Sequence, residues 1–292
     1  MKIVIAEVME PEVVAEISKL GETIVTPNDL LAVLPTAEAL VVRSSTQVNA
    51  ALLEKAPLLK VVARAGVGLD NVDKEACAKR GIKVVNTPGA STNSVSELAL
   101  AMMFAIARKI PKADESMKNK TWIKKELTGT ELMDKTLGIV GLGRIGSSLA
   151  IKAQALGMRV LYYDPKHDGT AAGKKVSLEE IFLSSDYISL HVPLVPETRG
   201  LINAAVIAKM KKNAVIVNTA RGGLVDEEAL YLALKEKKIK GAALDVYPQE
   251  PYNGKLCELD NVVLTPHVGG STKEAQARIG QELVAKLREE LG

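Results

Sequence analysis

Leu137-Gly138-Ile139-Val140-Gly141-Leu142-Gly143-Arg144-Ile145-Gly146 is the stretch on which the fold turns. An apolar strand runs into a G-x-G-x-x-G turn, and the turn opens a helix that ends at Gly157. The three glycines have separate duties. Gly141 permits a tight turn, Gly143 lets backbone approach a pyrophosphate, and Gly146 lets the helix close on its strand. The free N–H groups and dipole of a helix that begins at Arg144 and Ile145 then hold the diphosphate. The next strand ends in Asp164. A carboxylate there accepts hydrogen bonds from both ribose hydroxyls and repels a 2′-phosphate, which favours NAD over NADP; nearby Lys166 weakens that preference slightly. The bland alternative is a glycine turn that only packs a helix, with Asp164 as a solvated strand end. Context, acid and spacing together favour the dinucleotide.

Around this loop, short β-type runs alternate with helical patterns, the signature of βα units and parallel sheets. From Thr136 onward six strands are expected, at 136–140, 158–163, 186–190, 214–217, 240–244 and 262–265, which suits a doubly wound dinucleotide fold. Ser177-Leu178-Glu179-Glu180 reads as a capping box. Earlier strands are expected at 2–5, 23–25, 40–42, 59–63 and 82–85, with helices at 11–20, at about 49–55 and up to Arg80. Gly81 suits a left-handed C-cap. Asn86-Thr87-Pro88-Gly89 breaks the rhythm, and a long apolar helix from about Thr92 to Lys109 follows, with Met102, Met103 and Phe104 as packing. The more polar stretch 111–132, with the single tryptophan Trp122, reads as an arm or connector. A last helix is expected from about 272 to 290.

Of 292 residues, 47% are hydrophobic and 25% charged, which excludes disordered, collagen-like and coiled-coil chains and suggests about two domains. A net charge of +3 sets up no field that demands nucleic acid or a membrane as partner. Cys77 and Cys257 are too few for a disulfide framework and fit a reducing cytoplasm. Glu7 interrupts the first apolar run too early for a signal peptide, and the longest apolar run, 98–107, is too short to span a bilayer. No metal site is expected.

Only three histidines exist, His167, His191 and His267, so the search for an imidazole catalyst is short. Ligands of open α/β sheets lie beyond the carboxyl ends of the strands. That rule gathers Asn218-Thr219-Ala220-Arg221-Gly222-Gly223, Asp245-Val246-Tyr247-Pro248-Gln249-Glu250-Pro251 and Thr265-Pro266-His267-Val268-Gly269-Gly270. Together they offer a guanidinium, a carboxylate and an imidazole. Oxidising an alcohol requires removal of the hydroxyl proton as hydride leaves carbon, which suits an imidazole. A neighbouring carboxylate orients the ring and favours its protonated form, while arginine binds a substrate carboxylate and polarises the reacting oxygen. His267, Glu250 and Arg221 are the candidates for these roles. His191 also ends a strand and is the rival base, but no acid follows it, and its loop could lie along the cofactor. His167 sits in a surface turn.

Taken in order, these segments resemble the D-2-hydroxyacid dehydrogenase family over essentially the whole chain. The likeness rests on 141–146, on His191-Val192-Pro193-Leu194, on 217–226, on 241–247, on Glu250-Pro251 and on Thr265-Pro266-His267. It implies that Arg221, Glu250 and His267 are catalytic and that Asp245 binds the nicotinamide amide. It implies that His191, Pro193, Thr219, Ala220, Gly269 and Gly270 lie along NAD, and that backbone near Val67 and Gly68 holds the substrate carboxylate. Stretches 64–73, 128–132 and 270–276 resemble the phosphoglycerate dehydrogenase branch. That branch implies oxidation of 3-phospho-D-glycerate to 3-phosphohydroxypyruvate, the first step towards serine. A phosphorylated acid needs additional cations, and Arg43, Arg64 and Lys124 are the candidates, the last at a position that relatives contribute from a partner subunit. The expected fold is α/β, with two Rossmann-like or flavodoxin-like domains built on parallel doubly wound sheets. An NAD domain at 91–270 is inserted into a substrate domain made of 1–90 and 271–292, with a dimerisation arm at about 111–132 and a homodimer through the NAD domain. The sequence stops after its last helix, where longer relatives continue into regulatory domains, so a short form without serine regulation is expected. Two rivals remain. A glyoxylate/hydroxypyruvate reductase or another 2-hydroxyacid dehydrogenase shares the catalytic residues and differs in cleft cations; an NAD-sensing corepressor-like protein binds without turnover.

Overall fold

A computed structural model describes residues 1–167 and 172–292. They form two compact units, Met1–Ser91 with Gly270–Gly292, and Thr92–Gly269.

The first unit holds a parallel sheet of β1 (Lys2–Ile5), β2 (Glu22–Val25), β3 (Ala39–Val42), β4 (Val61–Arg64) and β5 (Lys83–Asn86). Its order is β2-β1-β3-β4-β5, the flavodoxin-type arrangement, with the reversal between β1 and β3. β3 is buried along its whole length, as the central strand of a sheet covered on both faces must be. One face packs Ile3, Ile5, Val41 and Ala63 against Ile17 of the helix Pro11–Ser18 and Leu283 and Leu287 of the helix Lys273–Leu291. The other packs Val4, Leu40, Val42 and Val62 against Leu34, Leu53 and Cys77. The two helices on the first face approach closely, because a Cβ on Gly280 would lie 2.1 Å from Val13. Gly81 has φ +69 just after the helix Lys74–Lys79, in the left-handed conformation expected of it. The short helix Leu30–Val33, capped by Asp29, was not anticipated; four residues carry too little periodicity to be read.

The second unit holds seven parallel strands: β6 (Thr136–Val140), β7 (Arg159–Tyr163), β8 (Lys174–Lys175), β9 (Tyr187–Leu190), β10 (Val215–Asn218), β11 (Gly241–Leu244) and β12 (Val262–Leu264). Their order, β12-β11-β10-β9-β6-β7-β8, is the dinucleotide-binding order with one strand added at the β12 edge. Six strands were expected. The one not anticipated is β8, at the opposite edge, two exposed lysines whose charge and length give no hydrophobic pattern. The helix Thr92–Arg108 buries Met102, Met103 and Ile106 in a core shared with β6, β10 and β11. Phe104 departs from the expected packing role and is 41% exposed, since a helix apolar on nearly every face cannot turn all of them to one sheet. The stretch read as an arm contains the helix Ile110–Lys118, opened by Pro111, and a 3-10 turn, Lys124–Leu127; its polar composition concealed them. Ser177 caps the helix Leu178–Ser184 by accepting the Glu180 N–H, whereas the Glu180 carboxylate accepts from Ser184. Among the described residues, no helix is long and apolar enough to cross a membrane.

Candidate active site

β6 and β9 are neighbours although the chain leaves β6 for β7, so the crevice at the carboxyl ends of this sheet opens between them. The glycine turn follows β6 into that crevice. Gly141 has φ +96 and lies under the His191 carbonyl, where a Cβ would come within 2.7 Å of the oxygen. Gly146 lets the helix Arg144–Ala155 close on the turn, since a Cβ there would sit 2.2 Å from the Gly141 oxygen. Gly143 differs from both. Among the described residues, nothing lies within 4 Å of where its Cβ would be, and the helix it precedes has no side-chain cap. Open space before uncapped N–H groups, with Arg144 exposed and Ile145 half-buried in the first turn, fits a diphosphate. Thr219, after β10, is buried with a hydroxyl that has no hydrogen-bond partner among the described residues, a second polar position suited to a cofactor. These residues fit NAD.

Asp164 follows β7 and is nearly buried. Its carboxylate accepts the N–H groups of Leu142 at 2.7 Å, Lys166 at 2.8 Å and His167 at 3.1 Å. Burial pushes its pKa up, but the Lys166 and Leu142 donors outweigh burial and hold it below the usual carboxylate range. It is therefore anionic at neutral pH, the sign that repels a 2′-phosphate. It also fastens the glycine turn to the end of β7, a duty that sequence reading missed because it depends on a contact across two strands. His167 is a surface residue, 3.9 Å from Asp164.

The catalytic candidates are carried by three strand ends. Asn218, buried at the end of β10, donates to the Arg221 carbonyl at 2.8 Å and accepts the Ala220 N–H at 3.0 Å, which shapes the Thr219-Ala220-Arg221 turn. The Arg221 guanidinium donates to the Ala220 carbonyl. Gly222 then packs against Tyr247-Pro248, so tightly that a Cβ would fall 1.9 Å from the Tyr247 carbonyl carbon. The Tyr247 N–H donates to Glu250 Oε1 at 3.1 Å. Its hydroxyl lies 3.1 Å from the Leu244 carbonyl and 3.0 Å from that of Thr265, and its ring stacks on Tyr252. Glu250 Oε2 is 2.7 Å from His267 Nδ1. Tyr247 thus touches every segment that carries Arg221, Glu250 or His267.

His267 has φ +54, an uncommon conformation for a residue with a side chain. Asp245 holds it there. This buried carboxylate accepts the Thr265 hydroxyl at 2.6 Å, the Val268 N–H at 2.8 Å and the Gly269 N–H at 2.9 Å, and so grips the chain on both sides of the histidine. Three of about four acceptor positions on Asp245 are used in this way, a bracing role beyond the one its family likeness implies. The Ser94 hydroxyl adds a bond to the Gly269 carbonyl. With a carboxylate accepting at Nδ1, the proton resides on that nitrogen and Nε2 is left as the basic atom.

His191, the rival base, is half-buried with Nε2 2.8 Å from the Ser189 hydroxyl, a neutral partner. Burial pushes its pKa down to about 4. Between the ordinary histidine value and 4, the unfolded chain binds the proton more readily, so this group subtracts stability as the pH falls through that window. In an NMR titration the His191 ring is expected to stay neutral down to about pH 4; a midpoint near 6.5 would contradict its burial. Pro193 lies exposed in the following loop.

The other candidates lie in the first unit, except Lys124, which is exposed at the start of its 3-10 turn in the second. Arg43 follows β3 and donates to the Val8 carbonyl at 3.1 Å and to Gln276 Oε1 at 3.0 Å. Arg64 ends β4 with its guanidinium laid across Gly66, whose φ of +142 and missing side chain make the room. Val67 and Gly68 are half-buried, and the Val67 carbonyl accepts the Asn86 amide at 2.6 Å. Gly270 opens the returning segment, and its carbonyl accepts the Gln276 amide at 2.8 Å.

The family described as D-isomer specific 2-hydroxyacid dehydrogenase, NAD binding domain, matches residues 100–269 of this chain. A hydroxypyruvate reductase of Thermotoga maritima is 50% identical over 270 residues, covering 91% of this chain and 88% of that protein. A D-3-phosphoglycerate dehydrogenase of Methanocaldococcus jannaschii is 46% identical over 301 residues, covering 100% of this chain but 57% of that protein, so the chain spans little more than half of that relative. The solved structure of the TT0316 protein from Thermus thermophilus superposes with a TM-score of 0.93 at 35% identity, covering 100% of this chain and 97% of the other.

Proposed function

The chain belongs to the D-isomer specific 2-hydroxyacid dehydrogenase family, and from that premise we propose that it oxidises 3-phospho-D-glycerate to 3-phosphohydroxypyruvate with NAD. The chemistry rests on the 2.7 Å contact between His267 Nδ1 and Glu250 Oε2. His267 Nε2 removes the hydroxyl proton from the substrate, and the Glu250 carboxylate stabilises the charge that the ring acquires. Arg221 binds the substrate carboxylate and draws negative charge from the reacting oxygen. NAD, when bound along Gly141, Gly143 and Gly146 with its ribose at Asp164, supplies the hydride acceptor.

The phosphorylated substrate is supported by the cations Arg43 and Arg64 and by the likeness to a phosphoglycerate dehydrogenase. A second reading, reduction of hydroxypyruvate, is favoured by the relative that is 50% identical and matched over most of its own length. The two differ in whether a phosphate is recognised. Measuring kcat/KM for 3-phospho-D-glycerate and for D-glycerate separates them. The phosphorylated acid is expected to be preferred at least about 100-fold, and Arg43→Ala to reduce that preference at least about tenfold. Preference for the unphosphorylated acid, or an Arg43→Ala variant that lowers both rates equally, moves the assignment to the second reading. NAD binding with no turnover of either acid would instead point to a binding protein of this fold.

A further inference from the structure

Glu7 does more than interrupt the first apolar run. The structure gives it a more specific position. β1 and β3 are neighbours although β2 follows β1 in the chain, so the crevice at the carboxyl ends of the first sheet lies at their junction. Glu7 follows β1, and Arg43-Ser44-Ser45-Thr46 follows β3. Glu7 Oε1 accepts the N–H groups of Arg43 at 2.8 Å and Thr46 at 3.0 Å. Its Oε2 accepts the Ser45 N–H at 3.1 Å and the Ser45 hydroxyl at 2.7 Å. Four donors fill about all the acceptor positions a carboxylate has. A turn whose N–H groups converge in this way is an anion-binding nest, and here the anion is built into the chain.

The carbonyl side of the same loop is held as firmly. The nearly buried Asn71 donates its amide to the Arg43 carbonyl at 3.0 Å and to the Thr46 carbonyl at 2.7 Å. Asn71 lies in the stretch 64–73 that resembles phosphoglycerate dehydrogenases. Glu7 takes the N–H groups of Arg43, Ser45 and Thr46 and Asn71 takes two carbonyls, so the cation that this braced loop offers an external anion is the Arg43 guanidinium. Its own hydrogen bonds go to neutral acceptors, the Val8 carbonyl and Gln276, so they orient it without neutralising its charge.

We propose that Glu7 is a positioning residue which, with Asn71, preorganises the Arg43 loop so that its guanidinium takes the phosphate of the substrate. This rests on the phosphorylated-substrate reading above. A loop ordered during folding loses little further freedom when the anion binds, so the effect falls on affinity for the phosphorylated acid. Burial pushes the Glu7 carboxyl up, but the N–H groups of Thr46 and Ser45 and the Ser45 hydroxyl bring it down to about 2. It is ionised at every pH at which the protein works, so the support does not switch.

The test uses Glu7→Gln in the full chain. The amide keeps the size of the side chain, but its nitrogen cannot accept from the loop's donors. The quantity to read is the ratio of kcat/KM for 3-phospho-D-glycerate to that for D-glycerate. Glu7→Gln is expected to lower it at least about fivefold through KM of the phosphorylated acid, and the double variant with Arg43→Ala to fall no further than Arg43→Ala alone. Glu38→Gln, which removes a surface carboxylate paired with Lys60, is expected to leave the ratio unchanged. If Arg43→Ala lowers the ratio and Glu7→Gln does not, or if Glu7→Gln depresses both substrates equally, Glu7 is no positioning residue. If Arg43→Ala itself leaves the ratio intact, the phosphate reading fails and takes this inference with it. Should Glu7→Gln melt below the assay temperature, Asn71→Ser carries the same test, and an unchanged ratio overturns the proposal.

Discussion

His267→Asn is expected to lower kcat by about 10²–10⁴-fold while NAD affinity, followed by calorimetry, changes little. The choice of asparagine matters. His267 sits at φ +54, and asparagine tolerates the left-handed region better than most residues, so the backbone can keep its path. Asp245 still grips Thr265, Val268 and Gly269 on either side. What disappears is the ring nitrogen that accepts a proton, leaving Glu250 without the group it supports. A kcat within about threefold of the parent protein would remove His267 as the base. The role could not then pass easily to His191, whose ring is held neutral by burial and faces a serine hydroxyl.

Gly222→Ala is the second substitution with a large expected effect, and it touches no reacting atom. Its Cβ would land 1.9 Å from the carbonyl carbon of Tyr247 and 2.3 Å from the nitrogen of Pro248. Both are main-chain atoms, so no rotamer change can relieve the contact. The turn bearing Arg221 must move away from the segment that holds Glu250 through the Tyr247 N–H. Overpacking of this kind costs about 1–3 kcal/mol or more, to be read as a lowered melting temperature. A displacement near 1 Å between catalytic groups can cost about 100-fold in turnover, to be read in kcat/KM. A variant with unaltered melting and full activity would show that the three segments are not held as one assembly.

Much of this arrangement was legible beforehand, for physical reasons. Buried strands of parallel sheets are short apolar runs, so β1, β3, β6 and β10 could be placed within a residue or so. β8 could not, because two lysines at an edge have no face to bury. Gly141, Gly143 and Gly146 were readable because the demands of a tight turn, an open position and a close packing contact leave few alternatives to glycine. The residues that brace the site were not. Glu7 and Asn71 act on the loop at 43–46, Asp164 on the glycine turn and Asp245 on the His267 turn, each across a gap of many residues. Such contacts exist only once the strands lie side by side, and a carboxylate or amide in a sequence does not announce which distant N–H or carbonyl it will meet.

The helix Lys273–Leu291 has a further consequence for how the chain comes into being. A ribosome completes β1 to β5 first, then the whole of the second unit, and only then the helix that places Leu283 and Leu287 over Ile3, Ile5 and Val41. Throughout translation one apolar face of the first sheet lacks part of its native cover, while the second unit has all of its strands and can condense as soon as it emerges. The second unit can thus mature before the first, although the strands of the first are made earlier, and the first sheet is the later of the two to become safe from aggregation.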